Sequence, residues 1–271
     1  MSTELTYTRW KDEFKPILES VSEKKVFMLF SGGKDSSLAM DFFLRGSQEF
    51  GFEFDAHAGA FPVHRYPEWE KERIGSYWEK RGVNIVWHEL ADTDEHVRSA
   101  PNPCLPCQEL RKEVLKIILT ESIDDWESLV LTPCHTLWDL VSYSIEHVLS
   151  DIYSDSRKVE DIKNSKRFME TAQRFYPFLG MKEGYAIFRP LIKYNSNDII
   201  RAIEKKGIPI LSIPCEFSGF RPKRIFEGYY EKMGLHFDYN QLFKFALESL
   251  NLPDISSYTS IEKEKYLVQF F

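Results

Sequence analysis

The stretch "FMLFSGGKDSSLAM", residues 27–40, decides the fold. An apolar run from Val26 to Phe30 meets Ser31-Gly32-Gly33-Lys34-Asp35-Ser36, and an apolar-periodic segment follows. A run that is apolar at consecutive positions reads as a strand buried on both faces. Ser36 to Phe43 reads as the opening turns of a helix. The two glycines between them allow a tight turn. That turn leaves backbone amides facing outward at the positive end of the helix dipole. The hydroxyls of Ser31, Ser36 and Ser37 stand beside those amides. The arrangement suits an anion, and phosphate is the usual occupant. The plainer alternative is an ordinary glycine-rich turn between a strand and a helix.

Two familiar phosphate loops do not fit. The Walker loop places a glycine, four residues, then Gly-Lys-Ser/Thr. Here Asp35 follows Gly33-Lys34, and no glycine stands at the required upstream position. The dinucleotide fingerprint separates its first two glycines by one residue, whereas Gly32 and Gly33 are adjacent.

Further along, strand-like and helix-like segments alternate. A leading helix over residues 1–24 puts Trp10, Phe14, Ile17 and Leu18 on one face. Strand 26–30 precedes helix 36–46, and strand 54–62 precedes helix 67–82, opened by Pro67 and closed by Gly82. Strand 84–90, helix 107–121, strand 128–132 and helix 136–150 follow. Strand 185–192 precedes a helix capped by Asn195 or Ser196 and ended by Gly207. This alternation predicts an α/β fold, a parallel sheet with helices on both faces. Residues 1–150 form the nucleotide-binding part and 151–183 a charged, aromatic helical insertion. Residues 184–225 add the last strand–helix unit and a third-cysteine loop, and 226–271 a helical C-terminal region.

Length and composition bound the rest. A chain of 271 residues makes one large domain or one domain with a smaller addition. No apolar run approaches the ~20 residues of a membrane span, and the polar N-terminus lacks a signal-peptide core; both point to the cytoplasm. The net charge of −7 argues against an extended nucleic-acid grip, which usually shows a basic surplus. The nearest basic run is "FRPKR", residues 220–224.

Four cysteines in such a chain argue for metal or thiol chemistry rather than disulfides. "PNPCLPCQELRK" places Cys104 and Cys107 just before a helix, where the dipole favours a thiolate. Cys215 lies in "IPCEFSG". Two thiolates plus one make a poor structural zinc site, which wants four ligands. They make a reasonable three-thiolate iron–sulfur site with one iron left open. The alternative is three unrelated cysteines.

The S-G-G-x-D-S pattern in its strand–loop–helix context resembles the PP-loop of the ATP pyrophosphatases, the adenine nucleotide α-hydrolase-like group. The resemblance narrows with the CxxC followed by Arg111-Lys112, "FRPL" at 188–191 and "IPILSIPC" at 208–215. In order and approximate spacing, residues 24 to 225 are similar to the tRNA 2-thiocytidine and 2-thiouridine synthetase branch. The resemblance implies that Ser31, Gly32, Gly33, Lys34, Asp35, Ser36 and Ser37 hold the pyrophosphate of ATP with Mg2+. Arg189, at a strand end of the same sheet, is a candidate to bind the α-phosphate; the alternative is a solvated arginine at a strand edge. The resemblance also implies that Cys104, Cys107 and Cys215 are catalytic, either as ligands of a 4Fe-4S cluster or through a persulfide on Cys104 or Cys107. Asp35 joins them as a candidate catalytic residue and metal ligand.

There are departures. Thiocytidine synthetases carry Gly-His-His-x-Asp-Asp after the fourth strand. Here "PCHTLWDL" leaves His135 and Asp139 as stand-ins, with His64 as a further substrate candidate. The paired terminal zinc motifs of the thiouridine branch and a basic tail are absent. These losses and the aromatic insertion (Phe168, Phe175, Tyr176, Phe178) point to a small heterocycle, such as guanine converted to 6-thioguanine, although core packing also accounts for the aromatics. Alternatives are tRNA thiolation, an ammonia-using amidating enzyme and a nucleotide-sensing module without turnover. The expected partners are the heterocycle or tRNA, a sulfur donor (a cysteine desulfurase or sulfide), no membrane, and a second copy in a homodimer.

Overall fold

The structure is a computed structural model that describes residues 4–59, 66–88, 94–149, 161–211 and 215–270. Helix α1, Tyr7–Ser20, starts at Thr6, whose hydroxyl accepts the Arg9 amide at 3.3 Å. Its Trp10, Phe14 and Leu18, four residues apart, face inward. Strand β1, Lys25–Leu29, leads into α2, Lys34–Phe50, which Gly51 closes in the left-handed region. Strand β2, Glu53–Gly59, α3, Glu68–Glu79, and β3, Ile85–His88, come next. Short α4, Glu95–Arg98, precedes α5, Cys104–Ser122. Then come β4, Leu129–Thr132, α6, Leu137–Leu149, and α7, Asp161–Ala172. Strands β5, Phe178–Gly180, and β6, Ala186–Phe188, precede α8, Ser196–Lys206. Helices α9, Pro222–Lys232, α10, Tyr239–Ser249, α11, Ser256–Thr259, and α12, Lys263–Phe270, complete the chain.

The six strands form one sheet in the order β3-β2-β1-β4-β6-β5. All pairs are parallel except β5–β6 at the edge. Val26 and Met28 pack on the face covered by α1, α2 and α8, while Phe27 packs on the opposite face with α5 and the C-terminal tyrosines. Both faces are therefore dry, which is why β1 reads as an unbroken apolar run. From β1 the chain builds outward through β2 and β3 on one side and β4 and β6 on the other. The turn after β1 thus sits at the point where strand order reverses, the crevice where sheets of this kind bind ligands.

Several expectations are corrected. Helix α5 begins at Cys104, so both cysteines of the CxxC lie inside its first turn rather than before it. The stretch 151–183, read as helical, contributes β5 to the sheet edge. The strand expected over 185–192 ends at Phe188, because Arg189-Pro190 turns the chain and Pro190 has no amide for a ladder. Asn195 occupies the start of α8, yet its side chain does not cap that helix. Its Oδ1 accepts from Trp138 Nε1 at 3.1 Å and from the Phe237 amide at 2.9 Å, tying α6 to the loop before α10. Among the described residues no helix is long and apolar enough to cross a membrane.

Candidate functional site

The 31–37 loop is built by its own hydroxyls. The Ser36 hydroxyl donates to the Gly33 carbonyl at 3.2 Å and accepts the Ser31 amide at 3.2 Å; the Ser31 hydroxyl lies 3.1 Å from it. The Gly33 carbonyl takes the first helical bond, from the Ser37 amide at 3.0 Å. Gly32 has φ +67°, and its carbonyl accepts the Leu211 amide at 2.8 Å. A Cβ on Gly32 would stand 2.1 Å from Leu211 Cδ1, so the loop has room only for glycine there. The Ser37 hydroxyl is fully buried and has no hydrogen-bond partner among the described residues, while the buried Asp35 Oδ1 is ion-paired with the Lys34 ammonium at 3.2 Å. An orphaned hydroxyl beside unpaired helix-start amides fits an anion, and the Asp35 carboxylate beside them suits a counter-cation. Phosphates with Mg2+ match that donor set.

Asp35 is flanked by cations. Burial raises its pKa, while the Lys34 ammonium, hydrogen-bonded to Oδ2 at 3.3 Å, pulls it back down. Lys223 of α9 acts on it in the same sense, and Asp139 opposes. Asp139 sits in the first turn of α6. Its Oδ2 accepts the Thr136 amide at 2.8 Å and the Thr136 hydroxyl at 3.0 Å; its Oδ1 accepts from Lys223 Nζ. Burial disfavours the Asp139 charge, yet Lys223 and His135 hold its carboxyl well below the usual carboxylate range. His135 is kept neutral by burial and by Arg174. Its Nδ1 has no partner among the described residues. Cys134, next to His135, has a thiol pushed up by burial and by the Asp35 charge.

The three cysteines form a second group. Cys104 and Cys107 are buried, and Cys215 is half-buried. The Cys104 amide donates to Asn102 Oδ1 at 3.1 Å, and its thiol lies 3.9 Å from the Phe217 carbonyl, two residues past Cys215. Burial pushes the Cys107 thiol up; Arg111 and Arg221 oppose, while Cys215 and Cys104 add to the rise. Arg111 follows Cys107 by one helical turn, so both share a face of α5. Burial lowers the Arg111 pKa, and Arg221, Cys107, Tyr66 and Cys215 also act on it. Three thiols thus gather near two guanidinium groups, whose charge opposes the effect of burial on Cys107. Among the described residues no three His, Cys, Asp or Glu side chains stand in a metal-ligating arrangement. The donor chemistry suits three ligands of an iron–sulfur cluster, each thiolate binding a different iron.

Tyr66 joins the two groups. Its hydroxyl donates to the Ser31 carbonyl at 3.1 Å, and Arg111 acts on the same hydroxyl, whose pKa burial raises to about 12. Tyr66 therefore links the anion loop to the arginine that follows Cys107 by one helical turn.

Not every expected residue is there. The Arg189 guanidinium is turned into the core, donating to the Tyr176 carbonyl and to Gln173 Oε1, both at 2.9 Å. The structure gives it no contact with the loop, because β6 ends one residue earlier and the side chain meets the C-terminal tyrosines; burial lowers its pKa to about 10. His64 lies outside the described residues. Phe168, Phe175, Tyr176 and Phe178 all pack into hydrophobic clusters. Tyr66 and the Lys223–Asp139 pair had no visible signal in the chain, whereas the Cys107–Arg111 helical spacing was readable.

No family model and no curated protein matches the chain. Solved structures do. The fold is that of a tRNA thiolase. The U34-tRNA thiolase NcsA from Methanococcus maripaludis, solved with its 4Fe-4S cluster, superposes with a TM-score of 0.62. The match covers 98% of this chain and 93% of that one, at 15% sequence identity. At that identity the likeness speaks for the fold.

Proposed function

We propose that the chain is an ATP-dependent adenylating sulfurtransferase that thiolates a nucleobase. The observation that carries this reading is the Tyr66 junction, which links an anion loop with an orphaned Ser37 hydroxyl to Arg111, one of two arginines that act on the Cys107 thiol. The loop amides and serine hydroxyls would hold the pyrophosphate of ATP. Lys34 would balance its charge, and Asp35 would meet Mg2+. The base carbonyl oxygen attacks the α-phosphorus and pyrophosphate leaves. A sulfur nucleophile then adds at the activated carbon, and AMP departs with the original oxygen. Arg111 and Arg221 would offset the effect of burial on Cys107. An iron–sulfur cluster on these thiols would supply an open iron for binding sulfur.

A tRNA-borne base is favoured over a free purine. The aromatic insertion that suggested a free base is consumed in core packing. The missing terminal modules also lose their force, since a chain of nearly the same extent is a tRNA thiolase. Protein purified without oxygen would be tested for iron, visible absorption, and pyrophosphate release with ATP plus either tRNA or guanine. About four irons per chain, lost in Cys104→Ser, Cys107→Ser and Cys215→Ser, is the expected result. Iron-free active protein would favour a cysteine persulfide. Activity indifferent to all three substitutions would exclude sulfur transfer through these thiols and point to ammonia as nucleophile. Thiolated guanine formed without tRNA would restore the free-base reading.

A further inference from the structure

Lys223 lies at the meeting point of the two halves of the site. Its ammonium donates to Asp139 Oδ1 and stands 3.4 Å from Glu227 Oε1. Asp139 is fixed at its other oxygen by two bonds from Thr136. Lys223 is 37% exposed and hangs on four rotatable bonds, so the lysine is the mobile member of the pair. The same ammonium acts electrostatically on Asp35 in the anion loop. A polyphosphate at that loop offers a lysine more negative charge than one carboxylate does. If the lysine leaves, Asp139 keeps both Thr136 bonds.

The backbone behind Lys223 runs straight to the thiols. The Ser218 amide donates to the Cys215 carbonyl at 3.0 Å, Arg221 to Ser218 at 3.2 Å, and Arg224 to Arg221 at 2.9 Å. Cys215, the turn at Ser218–Phe220 and the start of α9 are therefore one hydrogen-bonded unit. That unit also presents the Phe217 carbonyl to Cys104. A shift of the α9 start carries Cys215 with it.

We propose that Lys223 is a nucleotide-responsive latch that exchanges Asp139 for the phosphates of bound ATP and thereby repositions Cys215 against Cys104 and Cys107. The inference rests on the reading of the loop as an ATP site. Sulfur chemistry would then be readied only when ATP is present, which protects the thiols from idle reaction.

The test uses the full chain and the magnesium complex of the α,β-methylene analogue of ATP, which cannot be cleaved. Analogue binding is measured by calorimetry. The alkylation rate of Cys215 is read by peptide mass mapping, with and without saturating analogue. In the unaltered protein the rate is expected to change by about fivefold or more, the lower end of ordinary coupling between sites. Lys223→Gln alone leaves Asp139 buried without its cation and risks unfolding. The double variant Lys223→Gln with Asp139→Asn removes both charges and is the main comparison. It is expected to bind the analogue with an unchanged Cys215 rate. A double variant that responds like the unaltered protein overturns the latch, as does an unaltered protein that binds the analogue while Cys215 stays indifferent. Failure to bind the analogue at all sinks the ATP-site reading itself.

Discussion

Gly32 shows what a single residue contributes. A backbone at φ +67° costs a side chain about 1–2 kcal/mol, and the Leu211 methyl occupies the space a Cβ needs. Leu211 can rotate away, but the backbone strain stays. Gly32→Ala is expected to weaken binding of the methylene analogue about tenfold or more, which calorimetry would show. Asp139 has the opposite logic. Its folded pKa is held below the unfolded value near 4. The stability it contributes is present above that value and is lost as pH falls below it. Asp139→Asn should lose stability at pH 7 and give a flatter curve on acidification below about pH 4, measured by urea unfolding.

Between β2 and β3, histidines do the packing at the element scale. His57 stacks on Phe27 with ring centroids 4.0 Å apart, and its Nδ1 lies 2.9 Å from His88 Nε2. Burial, then the neighbouring His88, lowers the His57 pKa to about 4. The folded chain therefore prefers the neutral ring. Stability is complete above the unfolded pKa near 6.5 and is lost as pH falls from there to about 4. His57→Phe keeps the stacking and removes the titration. Its unfolding free energy should fall less between pH 7 and pH 4.5, by about 2 kcal/mol, than that of the unaltered chain. Helix α5 teaches a related lesson. Its start at Cys104 places Cys107 and Arg111 on one turn-spaced face, so the CxxC is part of the helix that carries its own counter-charge.

For the whole molecule, the far end of the chain closes the core. Tyr266 of α12 is fully buried, donates to Gln173 Oε1 and lies beside Arg189 and Tyr185. Tyr266→Ala should cost about 3–5 kcal/mol, visible as a lower urea midpoint, because it opens a cavity and unpairs a buried network. Net charge acts at the same scale. A chain at −7 repels RNA as a whole, so any tRNA grip must be local to cations such as Arg221. Arg221→Gln should then reduce the slope of log affinity against log salt by about 0.7–0.9, one phosphate contact.

Local order was legible in the chain. The strand, loop and helix at 26–43, the α/β alternation and the capping glycine at 207 follow from short-range sterics and periodicity. So did the candidate anion loop, whose glycines and hydroxyls act on their own backbone. What depends on distant partners was not legible. Arg189 sits one residue past a strand, yet tertiary packing turns it to Gln173 rather than to phosphate. Lys223 reads as one cation in a basic run, yet it closes on Asp139, 84 positions away in the chain. Tyr66 becomes a bridge only when β1 and the segment before α3 are folded side by side. Periodicity reports which face of an element is buried, but only the assembled fold decides which charge a buried charge will meet.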